Sequence, residues 1–279
     1  DANSTLLTLP LNFVIYLLGA FIAGFSVCML NTVVNPMLNL LGGGGNKGNQ
    51  LIQLGGTFNS LAGTLTPMLV GALIGTVSIN TAINAVNPVL YIAMGVFAAA
   101  FMILFFIPIS DPDARKNNKN VVYESSPWAF RHFVLGAVAI FVYVGVEIGI
   151  PGTLNFYLSN ITDKGAGLDP SNAATIGGFV AGTYWFLMLV GRFIGSMVGG
   201  KVSSKTMLST VSLLGMILIL GAILSPKTVT TLMPVFTGSS FAMTVVPLSA
   251  LLLVLCGLCT SIMWGSIFNL AVEGLGKYT

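Results

Sequence analysis

The chain has 279 residues, 55% of them apolar and 7% charged, with a formal net charge of +3. A soluble domain carries roughly a quarter of its residues as Asp, Glu, Lys and Arg, so a water-soluble globule is excluded, and the shortage of charge runs along the whole chain rather than through one anchor. The basic residues lie scattered in connecting stretches without interleaved aromatics, which excludes a nucleic-acid surface.

A membrane-crossing helix needs about 20 mostly apolar residues, because about 30 Å of hydrocarbon is climbed at about 1.5 Å per residue. Seven stretches meet that need, at 11–41, 50–75, 86–109, 128–158, 172–200, 206–224 and 241–272. Every polar side chain within them costs free energy unless it meets a partner or a wet cavity, so these positions carry the functional information.

The first stretch holds Asn31, Asn35 and Asn39 at intervals of four, so one helix face presents three amides. Pro36 frees the carbonyl of Thr32 from its helical partner, to bind a ligand or to bend the helix. The glycine-rich run 42–49 follows and is expected to be a flexible loop; its lysine precedes the last glycine, the wrong order for a phosphate cradle. The second stretch contributes Gln53, Thr57, Asn59 and Ser60. Amides and hydroxyls offer both donors and acceptors without charge, the chemistry that suits a polyhydroxylated neutral solute; interhelical hydrogen bonding is the plainer alternative. The third stretch is apolar throughout and ends at Ser110-Asp111-Pro112-Asp113, and residues 110–127 form the longest link, expected to join two bundles.

The fourth stretch contains Glu147, in Tyr143-Val144-Gly145-Val146-Glu147-Ile148-Gly149-Ile150-Pro151. Leu158 closes that helix eleven residues later, so the carboxylate lies about 16 Å from the end, too deep to snorkel. It reads as a proton site or a substrate-hydroxyl acceptor, or as a hydrogen-bonded lock between helices. In the fifth stretch Arg192 is expected to snorkel, or to pair with a carboxylate or helix C-terminus, in a structural or gating role. Gly191, Gly195 and Gly199 recur there at helical spacing and permit close helix approach. Cys256 and Cys259 stand one turn apart in the seventh stretch with no second pair and no histidine, so neither a metal nor a redox role is expected; Cys28 is likewise in an apolar run. His132 stands at a helix end. Nucleophile and paired-carboxylate constellations are absent, so no enzyme and no cofactor is expected.

With strict alternation, Lys47, Arg115, Lys116, Lys119, Arg131, Arg192, Lys201, Lys205 and Lys277 fall on one side, leaving Lys164 and Lys227 on the other. Nine against two makes the side of the Gly42 turn cytoplasmic. The chain opens on Asp1 without a signal-peptide pattern and reads as part of a longer polypeptide.

Five ordered motifs then stand out: Asn-Thr-Val-Val-Asn-Pro at 31–36, Thr-Phe-Asn-Ser at 57–60, Tyr-Val-Gly-Val-Glu at 143–147, Gly-Arg-Phe-Ile-Gly at 191–195, and Ser-Ile-Met through Gly-Leu-Gly-Lys-Tyr-Thr at 261–279. Together they resemble the fucose, galactose and glucose permease family of the major facilitator superfamily. The resemblance implies an all-α membrane protein of two six-helix bundles, with this chain supplying about seven transmembrane helices, the family's fourth to tenth of twelve. Residues 1–109 would be three helices of the N-terminal bundle, 110–127 the cytoplasmic linker, and 128–279 the first four helices of the C-terminal bundle. It further implies a multi-pass protein of the cytoplasmic membrane that takes a neutral sugar midway across the lipid bilayer, coupled to a proton or sodium ion. Asn31 replaces the coupling carboxylate of fucose symporters and Gly56 their glutamine, whereas Asn59 matches and Glu147 matches the glucose and galactose branch. On that reading Asn31, Asn35, Gln53, Asn59, Tyr143, Glu147, Asn155, Trp185 and Trp264 line the pathway, Glu147 serves coupling, and Pro36 and Arg192 are structural or gating. A transporter for another solute is the nearest rival; an intramembrane enzyme or a non-transporting sensor is the more distant one.

Overall fold

The computed structural model describes residues 5–6, 9–74, 86–108, 125–160, 162, 164–237 and 240–275. Within them the chain forms helices α1 (Leu11–Leu41), α2 (Gly45–Ile74), α3 (Asn87–Phe106), α4 (Arg131–Ser159), α5 (Ala173–Gly199), α6 (Ser204–Leu224) and α7 (Leu248–Val272). A short pairing of β1 (Thr5–Leu6) with β2 (Leu9–Pro10) precedes α1, and β3 (Thr230–Phe236) pairs antiparallel with β4 (Phe241–Pro247) between α6 and α7. Six of the helices, all but α2, are long and apolar enough to cross a bilayer. The chain is a multi-pass α-helical membrane protein.

Helix α2 differs because it is laced with amides, yet Asn49 and Gln53 are buried within the protein rather than offered to lipid. It packs most extensively on α5, and α7 sits at the centre of the α4–α7 group, touching α4, α5 and α6. The helix ends sort into two sets, as up-and-down threading requires. Lys227 Nζ donates to the Gly165 carbonyl at 3.3 Å, joining the α6 exit to the α4–α5 connection. At the opposite end Asn39, Asn269 and Ser204 are hydrogen-bonded, joining the α1–α2 turn, the end of α7 and the start of α6.

Several expected boundaries move. The glycine run is mostly not a loop: α2 begins at Gly45, and the turn is made by Gly43, Gly44 and Gly45 at φ of 73°, 74° and 57°, a left-handed backbone that side chains resist. The fourth helix begins at Arg131 rather than at Trp128, because Pro127–Ala129 close a 3-10 turn first. The seventh begins at Leu248 rather than at Phe241. Residues 241–247 are rich in β-branched side chains and end in Pro247, which holds the residue before it extended, so they pair as a strand. The 110–127 link lies almost wholly outside the described residues.

The β3–β4 ribbon turns Met233, Val235 and Val246 onto Leu154, Leu158, Val180 and Val254, the main apolar cluster of α4, α5 and α7. Its tip is anchored on α5, where Phe236 N–H donates to Thr183 Oγ1 at 2.8 Å and the Phe236 ring stacks on Phe186. In the connection before α5 the Ser171 N–H and hydroxyl both donate to Asp169 Oδ1, holding its carboxyl below the ordinary carboxylate range.

Glycines set the spacing of α5 and α7. A side chain at Gly191 would strike Ser261, and a Cβ at Gly257 would lie 2.6 Å from the Tyr184 carbonyl oxygen. Gly257→Val is therefore expected to push α7 off α5 at a cost of about 1–3 kcal/mol, the usual range for overpacking. Thermal unfolding in detergent should shift down by several degrees, whereas Gly24→Val, with nothing within 4 Å, should leave it unchanged. Equal midpoints for the two variants would refute this account.

Candidate functional site

The site is assembled around one interruption in α4. Pro151 has no N–H to give the carbonyl four residues earlier, which is that of Glu147. The missing donor comes from α5, where Tyr184 Oη–H reaches the Glu147 carbonyl at 3.2 Å and shares a 2.9 Å hydrogen bond with Thr260 Oγ1 of α7. Tyr143, one turn before Glu147, donates its hydroxyl to the Thr260 carbonyl at 3.0 Å. Thr260 thus ties two tyrosines to α7 behind the carboxylate.

The Glu147 side chain meets Arg192, Nη2 to Oε1 at 2.9 Å. Both side chains are largely withdrawn from solvent, at 14% and 11% exposure, so neither charge is left to water. The other guanidinium nitrogen donates to Ser60 Oγ at 2.7 Å and to the Gly56 carbonyl at 3.3 Å, both on α2. Gly56 lies against the stem of Arg192, where a Cβ would make ordinary van der Waals contact with Cδ at 3.4 Å. One arginine therefore joins α5, α4 and α2. Of the settings open to Arg192, snorkelling, a helix C-terminus or a carboxylate, pairing with a carboxylate is the one observed.

On one side of the pair lies a cavity of about 380 Å³, within the range of small-molecule sites. Asn31, Asn35, Gln53, Asn59, Glu147 and Trp264 line it with Arg192. A second recess of about 440 Å³ shares Asn59, Glu147 and Arg192 and adds Ser60, Thr66 and Trp185. The pair stands where the two spaces meet. Net charge across their walls is zero, and the remaining polar groups are amides and hydroxyls.

The amides have different occupations. Asn35 Nδ2 donates to the Asn31 carbonyl at 2.8 Å, Gln53 Nε2 to the Ile262 carbonyl of α7 at 2.9 Å. Asn39, expected on the same face as Asn31 and Asn35, is instead drawn to Asn269. Pro36 sits between these two settings within α1. Tyr143 is buried behind the cavity rather than on its wall, and Asn155 lies about two turns beyond Glu147 along α4, accepting from Ser159 Oγ at 3.1 Å. Trp185 and Trp264 fall in different recesses. Tyr184, Thr260, Asn269 and Ser204 were not singled out by the sequence; only the Glu147 to Pro151 interval signalled that a donor was needed.

A family model for the Major Facilitator Superfamily matches residues 2–279. A protein named "Glucose/galactose transporter" from Brucella abortus biovar 1 (strain 9-941) is 30% identical over 271 residues, covering 96% of this chain and 60% of that protein. A "Putative glucose/galactose transporter" from Helicobacter pylori (strain ATCC 700392 / 26695) is 28% identical over 274 residues, covering 95% of this chain and 60% of that protein. The chain thus spans about three fifths of the length of these relatives. No solved structure matches.

Proposed function

We propose that this chain, which belongs to the major facilitator superfamily, carries the solute pathway of a secondary transporter that moves a neutral hexose, such as glucose, galactose or fucose, across the cytoplasmic membrane. The observation that carries this reading is the chemistry of the cavity wall. A buried ion pair with no net charge is set among Asn31, Asn35, Gln53 and Asn59, with Trp264 beside them. Sugar hydroxyls both donate and accept, and such a wall answers both without attracting an ionised solute. The names of the two relatives favour the same substrate class.

On this reading residues 1–109 and 128–279 belong to two bundles joined by 110–127, and solute passes between them by alternating access. The Gly42 end faces the cytoplasm, because the basic residues gather there. Glu147 serves cation coupling, with a proton the natural ion for a carboxylate whose partner, Arg192, also holds α2. A proton added to Glu147 would loosen the bond between α4 and α5 and leave Arg192 bound to α2 alone.

The test is uptake of labelled hexoses by cells or proteoliposomes bearing the protein, with unlabelled sugars as competitors. Saturable uptake that sugars suppress, and that amino acids, peptides and hydrophobic cations do not, is the expected result. Competition by one of those other solutes instead would make the protein a transporter of a different class, and binding without accumulation would make it a sensor.

A further inference from the structure

Helix α5 holds Glu147 at two points. The Glu147 carbonyl oxygen accepts from Tyr184 Oη–H at 3.2 Å, and its carboxylate pairs with Arg192 at 2.9 Å. The two holding residues stand eight apart on α5, about 12 Å along the axis, so one fixes the main chain of Glu147 and the other its side chain. Arg192 belongs to the cavity wall already described. Tyr184 lines neither recess: it is buried, with its ring packed against Met188 and Cys256.

The direction of the hydrogen bonds at Tyr184 follows from counting hydrogens. Tyr184 and Thr260 have one hydroxyl hydrogen each. Thr260 Oγ1 is within reach of Tyr184 Oη at 2.9 Å and of two carbonyls of its own helix, those of Cys256 at 3.1 Å and Gly257 at 3.3 Å. Both carbonyls lie inside α7, where each already accepts the N–H four residues on. The Glu147 carbonyl has no such donor, because the residue four further on is Pro151. If Tyr184 gave its hydrogen to Thr260, the Glu147 carbonyl would lose the replacement, and an unpaired acceptor in such a setting is costly. The arrangement that leaves no carbonyl wanting runs from Thr260 Oγ1–H to Tyr184 Oη, and from Tyr184 Oη–H to the Glu147 carbonyl. Each bond polarises the next, so the two hydroxyls act as one unit from α7 through α5 to α4.

The surrounding helices are built to bring this unit together. A Cβ at Gly257 would lie 2.6 Å from the Tyr184 carbonyl oxygen, so a bare backbone is needed for α7 to come this close, and Thr260 follows one turn later. Tyr143 donates to the Thr260 carbonyl at 3.0 Å, which ties the start of the turn that ends at Glu147 to the same residue. Tyr143, Tyr184 and Thr260 are 2%, 0% and 3% exposed, enclosed by helices α4, α5 and α7 themselves.

We infer that Tyr184 is a positioning residue for Glu147: its hydroxyl stands in for the N–H that Pro151 lacks and, oriented by Thr260, keeps the carboxylate opposite Arg192. The consequence for solute movement rests on the transport reading; the positioning itself does not.

The test is the reactivity of the Glu147 carboxyl in the purified protein with no solute present. Dicyclohexylcarbodiimide, an apolar reagent, requires a carboxyl that carries its proton, a form that has given up the ion pair with Arg192. Labelled Glu147 is counted by mass spectrometry of its peptide. Tyr184→Phe keeps the buried ring and removes only the hydroxyl, and it is expected to raise the labelling rate about threefold, the factor that corresponds to an average interhelical hydrogen bond in a membrane protein. Pro151→Ala restores the missing N–H and makes the hydroxyl redundant. The double variant Pro151→Ala with Tyr184→Phe should therefore label at the rate of Pro151→Ala alone, a rescue that a merely structural tyrosine would not show. An unchanged rate in Tyr184→Phe, or a raised rate that Pro151→Ala does not reverse, overturns the inference. Should Tyr184→Phe fail to fold, the double variant is expected to fold, and its failure as well would overturn the inference. Hexose uptake is measured on the same preparations. The expected labelling pattern without uptake by the parent would refute the sugar assignment and leave the positioning role standing, while uptake with labelling indifferent to Tyr184 would refute the positioning role alone.

Discussion

An Arg192→Leu variant should unfold in detergent well below the parent, while the double variant Arg192→Leu with Glu147→Leu should recover most of the lost stability and none of the transport. The single change strands Glu147 in a cavity wall where its carboxylate has lost the 2.9 Å partner. Breaking one side of a buried pair costs about 3–5 kcal/mol, most of it the penalty of the orphaned charge, whereas removing both charges is often neutral. Ser60 and the Gly56 carbonyl lose their donor in both variants, so the recovery should fall short of complete by a neutral hydrogen bond or two, about 1 kcal/mol each. Thermal unfolding of the parent, both single variants and the double variant closes the cycle. An Arg192→Leu protein as stable as the parent would show that the pair holds nothing.

Glu147→Gln should separate binding from accumulation. The amide is isosteric, and its oxygen can still accept from Arg192, so the cavity keeps its shape while the titratable group is gone. The groups that face Glu147 are Arg192 and Tyr184 from α5 and Tyr143 from its own helix, while α2 presents the neutral Asn59. Among the described residues no other carboxylate lines the cavity. Uptake by the parent should follow an inward proton gradient and fall as the external pH rises. The glutamine variant should exchange labelled for unlabelled sugar across a membrane without concentrating it, and its exchange rate should no longer follow pH over the range in which the parent responds. Accumulation at parental levels from acid to mildly alkaline pH would remove Glu147 from coupling, and dependence on a sodium gradient would replace the proton by that ion.

The helices were legible because a lipid environment imposes a long apolar run and punishes every exception. Six of the seven stretches satisfy that rule in the structure, and α2 fails it through its amides and hydroxyls, of which Asn49 donates to Met207 on α6 and Gln53 to the Ile262 carbonyl on α7. The β3–β4 ribbon was illegible for the same reason. Residues 241–247 are as apolar as the helix they precede, and a short apolar run has no periodicity to tell strand from helix. Glu147 was conspicuous as the one acidic side chain deep in a span. Its partnership with Arg192 was not, since the two are 45 residues apart and their meeting depends on how α4 and α5 are rotated about their axes. The three asparagines of α1 share a face on paper, but that face crosses two environments. Asn31 and Asn35 look into the cavity, and Asn39, one turn further, reaches α7.

The gap that Pro151 leaves in α4, like the one Pro36 leaves in α1, gives that helix a mechanical property that an unbroken helix lacks. A rod of backbone hydrogen bonds is stiff, and it flexes most readily where a rung is absent. Here the absent rung begins at Glu147, and Gly145, Gly149 and Gly152 surround it with no neighbour that an added side chain would touch within 4 Å. The break thus divides α4 into a segment that carries Glu147 and a segment beyond Pro151 that is fastened to the ribbon through Leu154 and Leu158.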